Sequence, residues 1–306
     1  MSQTIREGEP VRFSLASSSP LPPGLSAHTA HVLEEACSDT TIIEPSVAGL
    51  FTRSFLGRAR KELDRGWLRE ELRGPALALR VDAAFLTGEM ATDGPALVVT
   101  DVDSTFIANE VIEMLAAAAG SEEQVRDITT RAMAGELDFA GSLTERVATL
   151  GGVQATVFEE AAQSVIVHQG ARELVAAVHA HGGIFGLVSG GFHEVVDRFA
   201  YPLGVDRLLA NRLEVADGRL TGRTRGPIID RAAKAQALTH WAETLDVPLD
   251  RTVAVGDGAN DLGMMEIAGL SVAFCAKPVV LESADSAITS PRLDILIALL
   301  GWDAVS

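Results

Sequence analysis

Cysteine is nearly missing from this 306-residue chain: Cys37 and Cys275 lie far apart and without a Cys-x-x-Cys spacing. That excludes a disulfide framework and a cysteine-built zinc cluster. Basic residues are also few, with 25 Lys and Arg against 42 Asp and Glu, for a formal net charge of −17. So acidic a surface disfavours a phosphodiester backbone or an anionic lipid surface, and no nucleic-acid or membrane partner is expected. No run reaches the roughly 18 apolar residues of a membrane span. The opening Met1-Ser-Gln-Thr-Ile-Arg-Glu-Gly-Glu-Pro10 lacks the basic start and apolar stretch of a signal peptide. The expectation is a soluble, cytoplasmic protein.

What the chain does have is apolar content, 47% of its residues, and enough length for two domains. Residues 1–90 read as a small α+β unit. Val11 to Ala16 suits a strand, His28 to Cys37 a helix, and Thr40 to Leu56 two strands broken near Ala48-Gly49. Arg58 to Leu72 carries Leu63, Trp67, Leu68 and Leu72 at helical spacing, and Ala76 to Val81 suits a final strand. The order βαββαβ is the ferredoxin-like plan. Gly88, Gly94 and Pro95 among polar residues mark the boundary.

Residues 91–306 alternate apolar strands with helical segments, which predicts a Rossmann-like α/β domain, a parallel sheet with helices on both faces. Strands are expected at Ala96–Thr100, Ile184–Val188 and Thr252–Val255, each emptying into polar residues. Leu208–Val215 and Arg219–Thr224 flank Ala216-Asp217-Gly218 and read as a hairpin. The stretch of about 108–168 is far longer than the roughly 10 to 12 residues one crossover needs, and is mostly helical in pattern, including Glu110–Ala119, Ser121–Ala134 and Ser142–Leu150. It reads as a cap over the strand ends. Cys275, closing the apolar run from Leu270, reads as a small buried side chain.

Four groups follow in order: Asp101-Val-Asp-Ser-Thr105, Ser189-Gly-Gly191, Lys234, and Gly256-Asp-Gly-Ala-Asn-Asp261. Each alone has a bland reading, as a helix cap, a strand-to-helix turn, a solvated lysine and an Asp-Gly turn. Together they supply what phosphoryl transfer needs: a nucleophile, donors for the phosphoryl oxygens, a positive charge and metal ligands. Carboxylates two apart in extended chain point the same way, so Asp101 and Asp103 are expected to converge on one small volume. Asp101 is the candidate nucleophile, forming an aspartyl phosphate, and Asp103 the acid and base of the two half-reactions. Ser189, Gly190 and Gly191 would donate to phosphate, and Lys234 would neutralise charge. Mg²⁺ suits the oxygen donors Asp101, Asp257 and the backbone carbonyl of Asp103, with Asn260 and Asp261 as ligands or supports around them.

With these motifs in this order and spacing, residues 96–300 resemble the haloacid dehalogenase-like phosphatases, and most closely their branch acting on phosphoserine. Val255-Gly-Asp-Gly-Ala-Asn-Asp-Leu262 and Ala273-Phe-Cys-Ala-Lys-Pro278 carry that closeness. The resemblance implies that Glu110 reads the substrate ammonium, that Arg146 pairs with its carboxylate, and that Phe139 closes the pocket. Asn260 falls among the substrate-binding positions. The implied reaction is Mg²⁺-dependent hydrolysis of O-phosphoserine to serine and phosphate, the last step of serine biosynthesis. Residues 1–90 resemble the ACT-like extensions of some relatives, implying amino-acid sensing or a homodimer. Rival readings are the same chemistry on another small phosphomonoester, phosphoryl transfer to an alcohol, or an amino-acid sensor carrying a vestigial phosphatase domain. The chain departs from the pattern at Val102 and Phe106, at Gly263 where proline is common, and at His168-Gln169.

Overall fold

Residues 4–305 are described by a computed structural model. The amino-terminal elements are β1 (Pro10–Ser17), α1 (Pro23–Ala36), β2 (Cys37–Ile43), β3 (Phe51–Ala59), α2 (Arg65–Ala78) and β4 (Asp82–Thr87). Their order is the expected βαββαβ. The strands form an antiparallel sheet ordered β2-β3-β1-β4.

The last strand, expected at Ala76 to Val81, begins only at Asp82. Residues 76–78 close α2 instead. Leu68, Leu72 and Ala76 stand four apart on its buried face while Leu77 and Leu79 are exposed, so the apolar content there is a helical stripe and not a strand. Asp64 caps this helix by accepting from Trp67 N at 2.6 Å. Arg58, expected to open the helix, lies inside β3.

The larger part contains β5 (Leu97–Thr100) and the cap helices α3 (Val111–Ala119), α4 (Glu122–Met133), α5 (Phe139–Ala148) and α6 (Val157–Gln163). Then come α7 (Ala171–Ala180), β6 (Ile184–Phe192), α8 (His193–Ala200), β7 (Arg207–Asn211), β8 (Leu213–Ala216), β9 (Arg219–Thr224) and α9 (Arg231–Thr244). The chain finishes with β10 (Thr252–Gly256), α10 (Leu262–Ile267), β11 (Leu270–Phe274), α11 (Pro278–Ser283), β12 (Ser286–Ile288) and α12 (Ile295–Leu299).

Six strands form one parallel sheet ordered β12-β11-β10-β5-β6-β7. Strands β5 and β10 lie side by side at its centre and are buried along their whole length, which is why they read as unbroken apolar runs. The expected hairpin is corrected here. Leu208 to Val215 is two strands: β7 joins the parallel sheet as its edge, and only β8 pairs with β9. Cys275 is also corrected, because it lies just past β11 with φ +44° and is exposed.

Helices α1 and α2 cover one face of the amino-terminal sheet. The other face packs on α12: Ala16, Val47, Ala84 and Leu86 share one core with Leu296, Ile297, Leu299 and Leu300. At the edges, Ser286 Oγ donates to the Ala83 carbonyl at 2.7 Å, and Thr289 donates to Asp82 through N (3.1 Å) and Oγ1 (2.8 Å).

Candidate active site

Side by side in the sheet, β5 and β10 end at one level, so Asp101 and Asp257 meet directly beyond them. The chain from Asp101 to Asp103 is not extended, contrary to expectation. The backbone turns at once, with Phe106 N and Ile107 N both donating to the Val102 carbonyl. The turn still delivers both aspartates to one cavity of about 320 Å³. Asp101, Asp103, Glu110, Phe139, Arg146, Gly190, Gly191, Asp257 and Asn260 all line it.

Ser189, Lys234 and Asp261 stand behind this lining. Lys234, fully buried, ion-pairs with Asp101 Oδ1 and Asp261 Oδ1, both at 2.7 Å. Asp261 Oδ2 accepts from the backbone N of Asp257 (3.1 Å) and of Gly258 (3.0 Å). Asp261 is therefore spent on shaping the loop. A Cβ at Gly256 would stand 2.4 Å from its carboxyl carbon, so glycine there is a space requirement.

Asp103 Oδ1 accepts from Val111 N at 2.9 Å at the start of α3, and Ser189 Oγ approaches its other oxygen at 3.5 Å. Ser189 Oγ also accepts from Gly191 N at 2.8 Å, because β6 continues through Phe192 instead of ending at Val188. The donors expected to face phosphate are here bonded partly to one another. Glu110 accepts from Ser104 Oγ at 2.8 Å.

Burial drives the titration of the cluster. Asp101 is raised well above the usual carboxylate range by burial and by the Asp261 charge, against the pull of Lys234. Asp103 is pushed up to about 7 by burial and Glu110, and Asp257 to about 6 by burial and Asp261. Burial works against the Lys234 ammonium, yet its two carboxylate partners outweigh that and keep it protonated. Burial also lowers Arg146, opposed by Glu110, Asp103 and Glu113. The guanidinium from the cap thus faces the acid that opens α3.

Above the cavity, α5 brings Phe139 and Arg146 from the cap, started by Asp138 accepting from Gly141 N at 2.7 Å. A Cβ at Gly190 would lie 2.9 Å from the Phe139 ring, so glycine lets cap and core approach. The cap joins the core by a two-stranded stalk in which Ile107 bridges Val167.

Two residues escape a reading of the sequence alone. Thr105 donates to Asp257 Oδ1 at 3.0 Å. Asn211, buried at the end of β7, donates to the Gly190 carbonyl at 2.8 Å and accepts from Ile229 N at 2.9 Å. It ties the Ser-Gly-Gly end of β6 to the segment leading into the Lys234 helix. Nothing about a lone asparagine in sequence signals such a bridge.

The haloacid dehalogenase-like hydrolase family matches residues 98–266, over half of the chain. The chain belongs to the haloacid dehalogenase-like hydrolases. It is 50% identical over 234 residues to a phosphoserine phosphatase of Streptomyces coelicolor, covering 76% of this chain but only 57% of that relative. It thus spans little more than half the length of that protein. A phosphoserine phosphatase of Streptococcus thermophilus is 48% identical over 204 residues, covering 67% of this chain and 95% of the relative. Among solved structures, one described as a phospho-aspartyl intermediate analogue of phosphoserine phosphatase is 40% identical with a TM-score of 0.63. It covers 66% of this chain and 97% of its own. The departure at Gly263 has a local cause: a Cβ there would stand 2.8 Å from the Arg231 carbonyl, so α9 and α10 pack too closely for a side chain.

Proposed function

We propose that this protein hydrolyses O-phosphoserine to serine and phosphate, in the cytoplasm and as the last step of serine biosynthesis. The observation that carries the reading is Arg146 and Glu110 of the cap lining one small cavity with Asp101 and Asp103 of the core. A zwitterion has a carboxylate for the first and an ammonium for the second, leaving its phosphoryl group toward Asp101. Phe139 would close the space between them.

In this reading Asp101 attacks phosphorus and forms an aspartyl phosphate while the serine oxygen departs. Asp103, pushed up to about 7, holds a proton for that oxygen and afterwards takes one from the attacking water. Similarity to the solved phospho-aspartyl intermediate analogue supports such an intermediate. Lys234 neutralises Asp101 from behind, and Ser189 supports Asp103.

The donor set fits a divalent cation. Carboxylate oxygens of Asp101, Asp257 and Asp261 lie within 4.8 Å of one another, and burial together with the Asp261 charge raises both Asp101 and Asp257. Asp101, Asp257 and the Asp103 carbonyl would hold Mg²⁺, with Asp261 fixing the loop and Asn260 beside it. The ion supplies charge neutralisation on phosphoryl oxygens.

The test is phosphate release from a panel of phosphomonoesters with Mg²⁺ and with EDTA. Phosphoserine should be preferred and EDTA should stop turnover. Asp101→Asn should abolish it. Arg146→Ala, losing a charged hydrogen-bond pair, should raise KM for phosphoserine roughly 10- to 100-fold and spare an aryl phosphate. Equal losses on both substrates would remove the carboxylate-reading role.

Residues 1–90 we take as a regulatory or dimerising unit. Since α12 covers one sheet face and α1 and α2 the other, any homodimer would have to use the sheet edge or helix surfaces.

A further inference from the structure

Two charged residues at the rim of the catalytic cavity, Glu113 and Lys277, have no part in the chemistry described so far. Both line the cavity and both are exposed. They stand beside different ends of the site. Lys277 immediately precedes α11, and its backbone N donates to the Asp257 carbonyl at 3.3 Å, which sets it next to the aspartates of the phosphoryl end. Glu113 lies in the first turn of α3, three residues beyond Glu110, and is close enough to Arg146 to help hold the charge of its guanidinium. Among the described residues, neither the Lys277 ammonium nor the Glu113 carboxylate has a hydrogen-bond or ion-pair partner.

Outward from Lys277, a groove of about 660 Å³ runs between cap and core and shares Phe139, Arg146, Asn260 and Lys277 with the cavity. Its other charges are engaged. Asp138 and Asp230 each cap a helix, accepting from Gly141 N at 2.7 Å and from Ala233 N at 2.9 Å, and Arg231 ion-pairs with Glu266. A chain of formal net charge −17 repels a phosphate dianion as a whole, so an unpaired cation at the mouth of a cleft offsets that repulsion where it matters. A cavity of about 320 Å³ is narrower than the roughly 10 Å over which charges act at 0.1 M salt. A rim charge therefore acts on whatever the cavity holds.

We propose that Lys277 and Glu113 polarise the mouth of the catalytic cavity, Lys277 drawing the phosphate end of an entering substrate toward Asp257 and Glu113 turning its ammonium toward α3. This rests on the phosphoserine reading above and adds to it the two rim charges that orient the substrate on entry. Neither touches the reacting atoms.

Steady-state turnover of the full chain with Mg²⁺, at about 10 mM and at about 500 mM salt, tests this. Lys277→Gln should lower kcat/KM for phosphoserine and for an aryl phosphate alike, roughly two- to fivefold at low salt, with kcat held and the loss gone at high salt. Glu113→Gln is read on a matched pair, phosphoserine and 3-phosphooxypropanoate, which differ only in the ammonium. Their ratio of kcat/KM should fall roughly two- to fivefold at low salt and recover at high salt. Lys61→Gln, which removes an exposed charge from the amino-terminal unit, should change neither quantity. Calorimetric titration with inorganic phosphate gives Lys277 a readout without turnover: in an Asp101→Asn background, Lys277→Gln should weaken phosphate binding at low salt only. Losses that persist at high salt, a fall in kcat, or phosphate binding indifferent to Lys277→Gln would overturn the role of Lys277, and an unmoved substrate ratio that of Glu113. If the unaltered chain left phosphoserine untouched, the phosphoserine reading and the role of Glu113 would fall together, while phosphate binding would still decide Lys277.

Discussion

Lys234 shows how much one residue can carry. It is buried between two carboxylates, so its removal leaves Asp101 and Asp261 facing each other without compensation. Breaking such a buried arrangement typically costs about 3–5 kcal/mol. Lys234→Met should therefore lower the denaturant midpoint markedly as well as abolish turnover, whereas Asp101→Asn, which keeps the shape and removes one negative charge, should abolish turnover with far less loss of stability. Asn211 acts differently, touching no reacting group. Asn211→Leu strands the Gly190 carbonyl and Ile229 N, each costing about 1–3 kcal/mol if left unsatisfied. Its kcat should fall while KM changes little, because the end of β6 beside Asp103 is loosened and the contacts proposed for the substrate's charged groups remain. A mutant with normal kcat would show that the bridge is purely structural.

At the scale of elements, the informative join is between β4 and β12, where the two sheets meet edge to edge. Asp82 accepts both Thr289 bonds there, and burial pushes its carboxyl up to about 6 from 3.8, against those bonds. A raised folded-state pKa means that the folded state binds the proton more tightly. Asp82 therefore favours folding fully below about pH 4, and that contribution is lost as pH rises through about 6. Asp82→Asn keeps an acceptor for Thr289 without the charge. It should raise stability above pH 7 by up to about 3 kcal/mol and change little near pH 4, as read from unfolding curves at the two pH values.

Elements are legible in the sequence where the period is clear. The strands β5 and β10 and the cap helices α3 and α4 lie within a residue or two of their expected bounds, since unbroken apolar runs and 3.6-residue stripes have few alternative readings. Ala76 to Val81 misleads because its apolar residues fit a strand by composition, and only burial shows which of them face the core. Leu208 to Val215 misleads because the choice between joining a sheet and forming a hairpin depends on a distant partner, here β6.

For the whole molecule, the shared core makes the two parts mutually dependent. The residues of α12 are all buried, several against the amino-terminal sheet. A fragment starting at residue 91 would expose Leu296, Leu299 and their neighbours as an apolar patch. It should aggregate or melt well below the full chain, measured by light scattering and calorimetry. A fragment as stable as the parent would mean that the interface contributes little.

The sequence by itself determined which residues are candidates for the site. Asp101, Asp103, Ser189, Lys234 and Asp257 stand out by residue type and by the order of their motifs, and those are local features written along the chain. Only tertiary structure decided which groups are spent and which are free: that Asp261 braces a loop, that Gly191 N is bonded to Ser189, that Asn211 ties β6 to the segment before α9, and that α12 closes the amino-terminal sheet. Each of these depends on contacts between segments far apart in the chain, whose distances and burial no local pattern encodes.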